Sequence, residues 1–79
     1  MTKIRTGAEH HSLAAKHHEQ AARHHHQAAK HYEERDYAHA AHQALIGHSH
    51  TQQAIFHGGE ATKYHAEHYG RAAPSAGIA

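Results

Sequence analysis

Histidine is the residue whose chemistry needs an account here. Fifteen of the 79 residues are histidine, and they are patterned rather than scattered. Between His10 and Tyr32 a seven-residue unit, H-[H/Y]-x-[Q/L]-A-A-[K/R], is written three times and begun a fourth. Imidazole ligates zinc, copper, nickel and cobalt, and it changes charge close to neutral pH. Either use requires several rings to be brought together. On one helix two ligands share an ion only at i,i+3 or i,i+4, and the first repeat region holds no His–His pair at either spacing. Its columns recur at i+7, roughly 10 Å apart along a helix. Local pairs exist elsewhere, as His39/His42 and His65/His68, with the mixed pairs Asp36/His39, His31/Glu34 and His57/Glu60.

Two functional expectations follow. One is a non-enzymatic protein that binds or buffers a divalent transition metal (zinc, copper, nickel or cobalt). Its ligands are the aligned His10, His17, His24, His31, His50 and His57, with His65 and His68, and sites are completed between helices or between chains. The other is a structural or protein-interaction helical module whose histidines are pH-sensitive packing residues. Enzymatic activity is not expected. Cysteine is absent, no Gly-rich phosphate loop precedes a helix, and Ser12, Ser49 and Ser75 stand in no acid–base constellation. No HExxH, zinc-finger or Glu-x-x-His di-iron spacing occurs. No small-molecule substrate is implied. A net charge of +1, from 8 basic and 7 acidic residues, argues against nucleic acid as partner. No apolar run approaches a membrane span, and MTKIRTGAEHHS has no signal-type apolar stretch, so the expected location is cytoplasmic.

The elements that must position these imidazoles are helices, because a period of seven is two helical turns. Thr6-Gly7-Ala8-Glu9 has the capping-box pattern, placing helix 1 over about 7–34. The repeat loses register at Glu33–Asp36, a turn is expected over about 34–36, and Asp36 is a fit N-cap for helix 2 over about 37–69. Gly47 and Gly58-Gly59 are candidate bends in helix 2. Gly70 is the expected C-terminal stop, with a flexible tail over 70–79 and the whole of 1–79 as one domain. Helix 2 carries a degraded copy of the heptad, in which His50, His57 and Tyr64 continue the first-His column and Ala44, Thr51, Gly58 and His65 the second.

The fold expected is all-α, a long antiparallel two-helix hairpin of alanine-rich coiled-coil type. Pivoting about residues 34–35, the second-His column faces small residues: His25 on Ala44, His18 on Thr51 and His11 on Gly58, with Ala15 on Ala54 and Ala22 on Gly47. That leaves Ala14, Ala21, Ala28, Gly47, Ala54 and Ala61 as a floor between imidazole walls. A second hairpin is expected to dock there as a homodimeric four-helix bundle, because large apolar residues are few and an alanine core stabilises little. Leu45, Ile46, Ile55 and Phe56 form a second apolar patch for the same purpose. Over residues 9–69 the HHxQAA[K/R]HH repeat, Asp36-Tyr37 and the HxxEA[A/T]K segment at His57–Lys63 resemble uncharacterised short bacterial Ala- and His-rich helical-hairpin proteins. That resemblance implies the hairpin and no activity.

Overall fold

The computed structural model describes residues 5–69. The expected stop at Gly70 and the tail 70–79 lie outside them. Two helices, α1 (Gly7–Glu33) and α2 (Tyr37–Tyr69), pack against each other, and no strand occurs among the described residues. No described helix is long and apolar enough to cross a membrane.

Both ends of α1 are set by local chemistry. Thr6 is the N-cap: its amide donates to Glu9 Oε1 at 2.8 Å, and the Glu9 amide donates to Thr6 Oγ1 at 3.2 Å. Two amides that a helix start would otherwise leave unpaired are satisfied reciprocally. At the other end Arg35 takes a left-handed backbone, φ 62°. The Asp36 amide then reaches His31 O at 2.8 Å and the Arg35 amide reaches Tyr32 O at 3.0 Å. These two bonds are the Schellman pattern, with arginine where glycine is usual, so about 1 kcal/mol of strain sits in the turn. Asp36 immediately starts α2, accepting from the His39 ring at 2.7 Å and, through its main-chain oxygen, from the Ala40 amide at 3.0 Å. The reversal therefore takes only the three residues 34–36, and the helices must run antiparallel at close approach.

What lies between them is almost entirely alanine. The buried residues are Ala14, Ala21 and Ala28 of α1 with Ala40, Gly47, Ala54 and Ala61 of α2. Each is seven from the next on its own helix, as a coiled-coil seam requires. The set expected to be a free floor for a second hairpin is thus consumed by the hairpin's own interface. Ala15, Ala22 and Ala29 are exposed, as are His11, His18 and His25. A Cβ built on Gly58 would meet nothing within 4 Å, so His11 does not pack on it. Relative to expectation α1 is turned by one residue. The physical reason is hydrogen bonding: the expected rotation presses His11, His18 and His25 against apolar or small side chains, with their ring nitrogens short of partners. The observed one buries plain alanine instead.

The glycines do not break α2, which is continuous through Gly47 and Gly58-Gly59. Gly47 is buried, and a Cβ there would lie 3.0 Å from His25 Nε2, so the exposed His25 ring lies over this notch. Around Gly58 and Gly59 there is open space. The two classes of small residue should therefore answer oppositely to enlargement. Ala54→Leu, at a position 1% exposed, should overpack the interface and destabilise by about 1–3 kcal/mol. Gly59→Ala should stabilise by about 0.5–1 kcal/mol through helix propensity alone. Urea unfolding followed by circular dichroism measures both, and a tolerated Ala54→Leu would contradict the close alanine seam.

Candidate functional site: an imidazole ladder along the hairpin groove

Three residues beyond each buried alanine of α1 stands a histidine: His17 after Ala14, His24 after Ala21, His31 after Ala28. In α2 the same offset gives Gln43, His50, His57 and Tyr64. An a-position alanine with a d-position imidazole on both helices puts two rows of rings along one edge of the seam, each half-buried. The antiparallel register then brings the rows face to face. His10 Nδ1 lies 3.0 Å from His57 Nδ1, and His17 Nδ1 lies 3.0 Å from His50 Nδ1. His24 donates through Nδ1–H to Gln43 Oε1 at 2.6 Å.

The two imidazole pairs are arranged end to end. In each the ring centroids are 5.2 Å apart while the nitrogens are 3.0 Å apart. A five-membered ring with bonds of about 1.33 Å has a centre-to-vertex distance of about 1.1 Å. Two such radii account for the whole difference, so centroid, Nδ1, Nδ1 and centroid lie nearly on one line. One ring of each pair must carry its proton on Nδ1 and the other must present a lone pair there. Successive rungs also touch: His17 is parallel to His57 at 5.8 Å and 3°, and His24 to His50 at 5.7 Å and 9°. Five rings, His10–His57–His17–His50–His24, thus form a continuous ladder.

The ladder ends at the turn in a different environment. His31 is half-buried, and its Nδ1 is buried without a hydrogen bond, 3.6 Å from Asp36 Oδ2 and 3.7 Å from Glu34 Oε1. The His39 hydrogen bond, foremost, holds the Asp36 carboxyl below its ordinary pKa. At the open end Tyr64 takes the place of an imidazole; a Cβ on Gly7 would lie 3.4 Å from its ring. His68 stacks on Tyr64 at 3.9 Å and donates through Nδ1–H to Tyr64 O at 2.9 Å. His65 is exposed, with its ring 5.5 Å from that of Tyr69.

The eight expected metal ligands therefore fall into distinct settings. His10, His57, His17 and His50 are brought together as two pairs. His24 is joined to an amide, His31 to the turn, and His65 and His68 to neighbouring tyrosines and backbone. Among the described residues no group of three or more His, Cys, Asp or Glu side chains could hold an ion. The member that sequence reasoning missed is Gln43. It stands seven residues before His50 and seven after Asp36, so the column spacing alone could have found it. Comparison with protein-family models, with curated proteins and with solved structures finds no match to this chain.

Electrostatics oppose protonation of His50 and His57. His50 is held below its ordinary pKa of 6.5 by loss of solvent, and further by His17, His24 and Arg23. His57 is lowered in the same way by loss of solvent, then His10, Arg5 and His17, with Glu60 acting in the opposite sense. A folded-state pKa below the unfolded one means the unfolded chain binds more protons in the window between them. Stability should be full well above pH 6.5 and should fall as pH drops through that value toward the lowered folded pKa values. Urea midpoints measured at pH 8 and pH 5 in the presence of a chelator should differ, with the lower midpoint at pH 5. His50→Gln with His57→Gln should flatten that dependence, and equal midpoints for the parent at both pH values would contradict the proximity of these rings.

Proposed function

We propose that this chain is a structural or protein-interaction helical module in which the imidazoles are packing groups that clasp and register the hairpin. The observation that carries the reading is the pairing of Nδ1 atoms at 3.0 Å in His10/His57 and His17/His50. Alanine seams give little register information, because sliding α2 by a heptad brings equivalent alanines opposite one another. Polar pairs at d positions select the rotation of each helix, because turning either one leaves half-buried nitrogens unpaired. The short turn opposes the heptad slip that would pair His17 with His57 and His24 with His50. The ladder serves that purpose with no bound group.

A second reading, a buffer of divalent transition metal, draws on the same two pairs, since each gathers two imidazole nitrogens that no single helix could. Zinc asks for about four ligands, so a pair from this chain would need the rest from another chain or from water. One experiment separates the readings. The metal-free protein is melted with and without excess Zn²⁺, Cu²⁺, Ni²⁺ and Co²⁺. The structural reading expects an unchanged Tm, and replacement of His10, His17, His50 and His57 by Leu should preserve helicity and raise Tm. A rise of several degrees with a divalent ion, lost in the Leu variant, would instead favour the buffer.

Homodimerisation to a four-helix bundle belongs, in this account, on the outer side of α2. The alanine face is already occupied, whereas Leu45, Ile55 and Phe56 are 67%, 65% and 59% exposed. An alanine seam stabilises only about 1 kcal/mol per buried methyl, which leaves a lone hairpin in need of further burial. Leu45→Glu with Phe56→Glu should keep the hairpin yet lower the sedimenting mass to that of one chain. A parent protein that is monomeric at high micromolar concentration would exclude this dimer.

A further inference from the structure

We infer that the pairs His10/His57 and His17/His50 are two sites for a soft monovalent ion of two-coordinate preference, Cu(I), seated in line between opposed Nδ1 atoms. The inference goes beyond the structural role and does not depend on it. Its ground is direction rather than distance. In both pairs centroid and nitrogen positions are nearly collinear, so the two Nδ1 lone pairs aim along one axis at each other. A tetrahedral ion needs donors converging from about 109° and a total of four. These donors do not converge, and no third His, Cys, Asp or Glu among the described residues completes such a set. A closed-shell monovalent ion is saturated by two neutral nitrogen donors in line, and a proton shared between the rings occupies that same axis.

The exchange balances simply. In the hydrogen-bonded pair one ring carries its proton on Nδ1. When M⁺ enters, that proton moves to Nε2 of the same ring through solvent, both Nδ1 atoms become donors, and the neutral pair releases no net proton. If the pair had held an extra proton, one proton would leave per ion bound. At roughly 2 Å per metal–nitrogen bond, the Nδ1 atoms must separate from 3.0 Å to about 4 Å. That movement is shared by two half-buried side chains at the edge of the seam, so the alanine interface beneath need not open. Neighbouring sites lie one heptad apart, roughly 10 Å, so two ions can be held together. The charged groups facing them are Arg5 and Glu60 at His57 and Arg23 at His50.

The third rung is a built-in control. His24 faces the Gln43 amide oxygen, a hard donor that a soft ion avoids, and this clasp also shows that a Gln partner fits the groove. Ag(I), as nitrate in chloride-free buffer, is the redox-inert probe, and Cu(I), as its acetonitrile complex under argon, is the second. Bound ions are counted by native mass spectrometry after gel filtration in dilute free imidazole, and ¹⁵N shifts identify the ligating nitrogens. The expected counts are two per wild-type chain, one for His50→Gln, none for His10→Gln/His50→Gln and three for Gln43→His. The ¹⁵N perturbation is expected on Nδ1 of His10, His17, His50 and His57, with circular dichroism confirming that each variant keeps its helices. A count that is unchanged in the double variant, or ligation through Nε2, overturns the inference, and so does failure of the folded wild-type chain to retain either ion.

Discussion

The structure depends on how closely two helices can approach when only methyl groups and one hydrogen atom separate them. Seven small residues, Ala14, Ala21, Ala28, Ala40, Gly47, Ala54 and Ala61, are the buried ones of the described chain. Among the described residues no large side chain is fully buried. Close approach brings the d-position side chains of both helices to the lip of the seam, within reach of each other across the groove. With leucine there the result would be an ordinary small coiled coil. With imidazole, each side chain carries a polar nitrogen that loses water as the seam closes and must find a partner. The partner available is the imidazole opposite, and the ladder follows from that need. Dispersion between methyls sets the spacing, and hydrogen bonding between rings selects among the arrangements that share it.

Much of this is legible in the sequence. The capping box at Thr6–Glu9, the loss of heptad register at Glu33–Asp36 and the N-cap at Asp36 lead to two antiparallel helices, which the structure shows. The alignment of His10, His17, His24, His31, His50 and His57 on one edge is also legible. The rotation of α1 is not, because each repeat carries two adjacent alanines, and either column makes an equally smooth face. Only α2 discriminates. There the column holding Ala40, Gly47, Ala54 and Ala61 is uniformly small, and the one three residues on holds Gln43, His50, His57 and Tyr64, which can meet imidazoles. Size complementarity favoured His18 on Thr51, but polar satisfaction outweighs it when the core is this thin. Pairing helices by volume alone fails where most of the volume is methyl.

The functional consequence is that the histidines divide by environment rather than by count. His11, His18 and His25 form an exposed row, with His25 lying over the Gly47 notch. His39 is engaged by the N-cap carboxylate and His68 by the backbone of its own helix. Only four rings meet end to end. Fifteen imidazoles suggest a sponge for metal, whereas the fold turns most of them to solvent or local caps and isolates two defined pairs. Which rings meet is set by the short turn at 34–36, since a slip of one heptad would leave the alanine seam intact and oppose His17 to His57 and His24 to His50 instead.

The most direct test is therefore whether the rings across the groove are energetically coupled. A double-mutant cycle on His17→Ala and His50→Ala, read by urea unfolding of the metal-free protein at pH 8, measures that coupling without reference to any ligand. The expected interaction is about 0.5–3 kcal/mol. The corresponding cycle on His18→Ala and Thr51→Ala should be additive, because His18 is exposed. Additivity at His17 and His50 together with coupling at His18 and Thr51 would contradict the register on which the ladder rests.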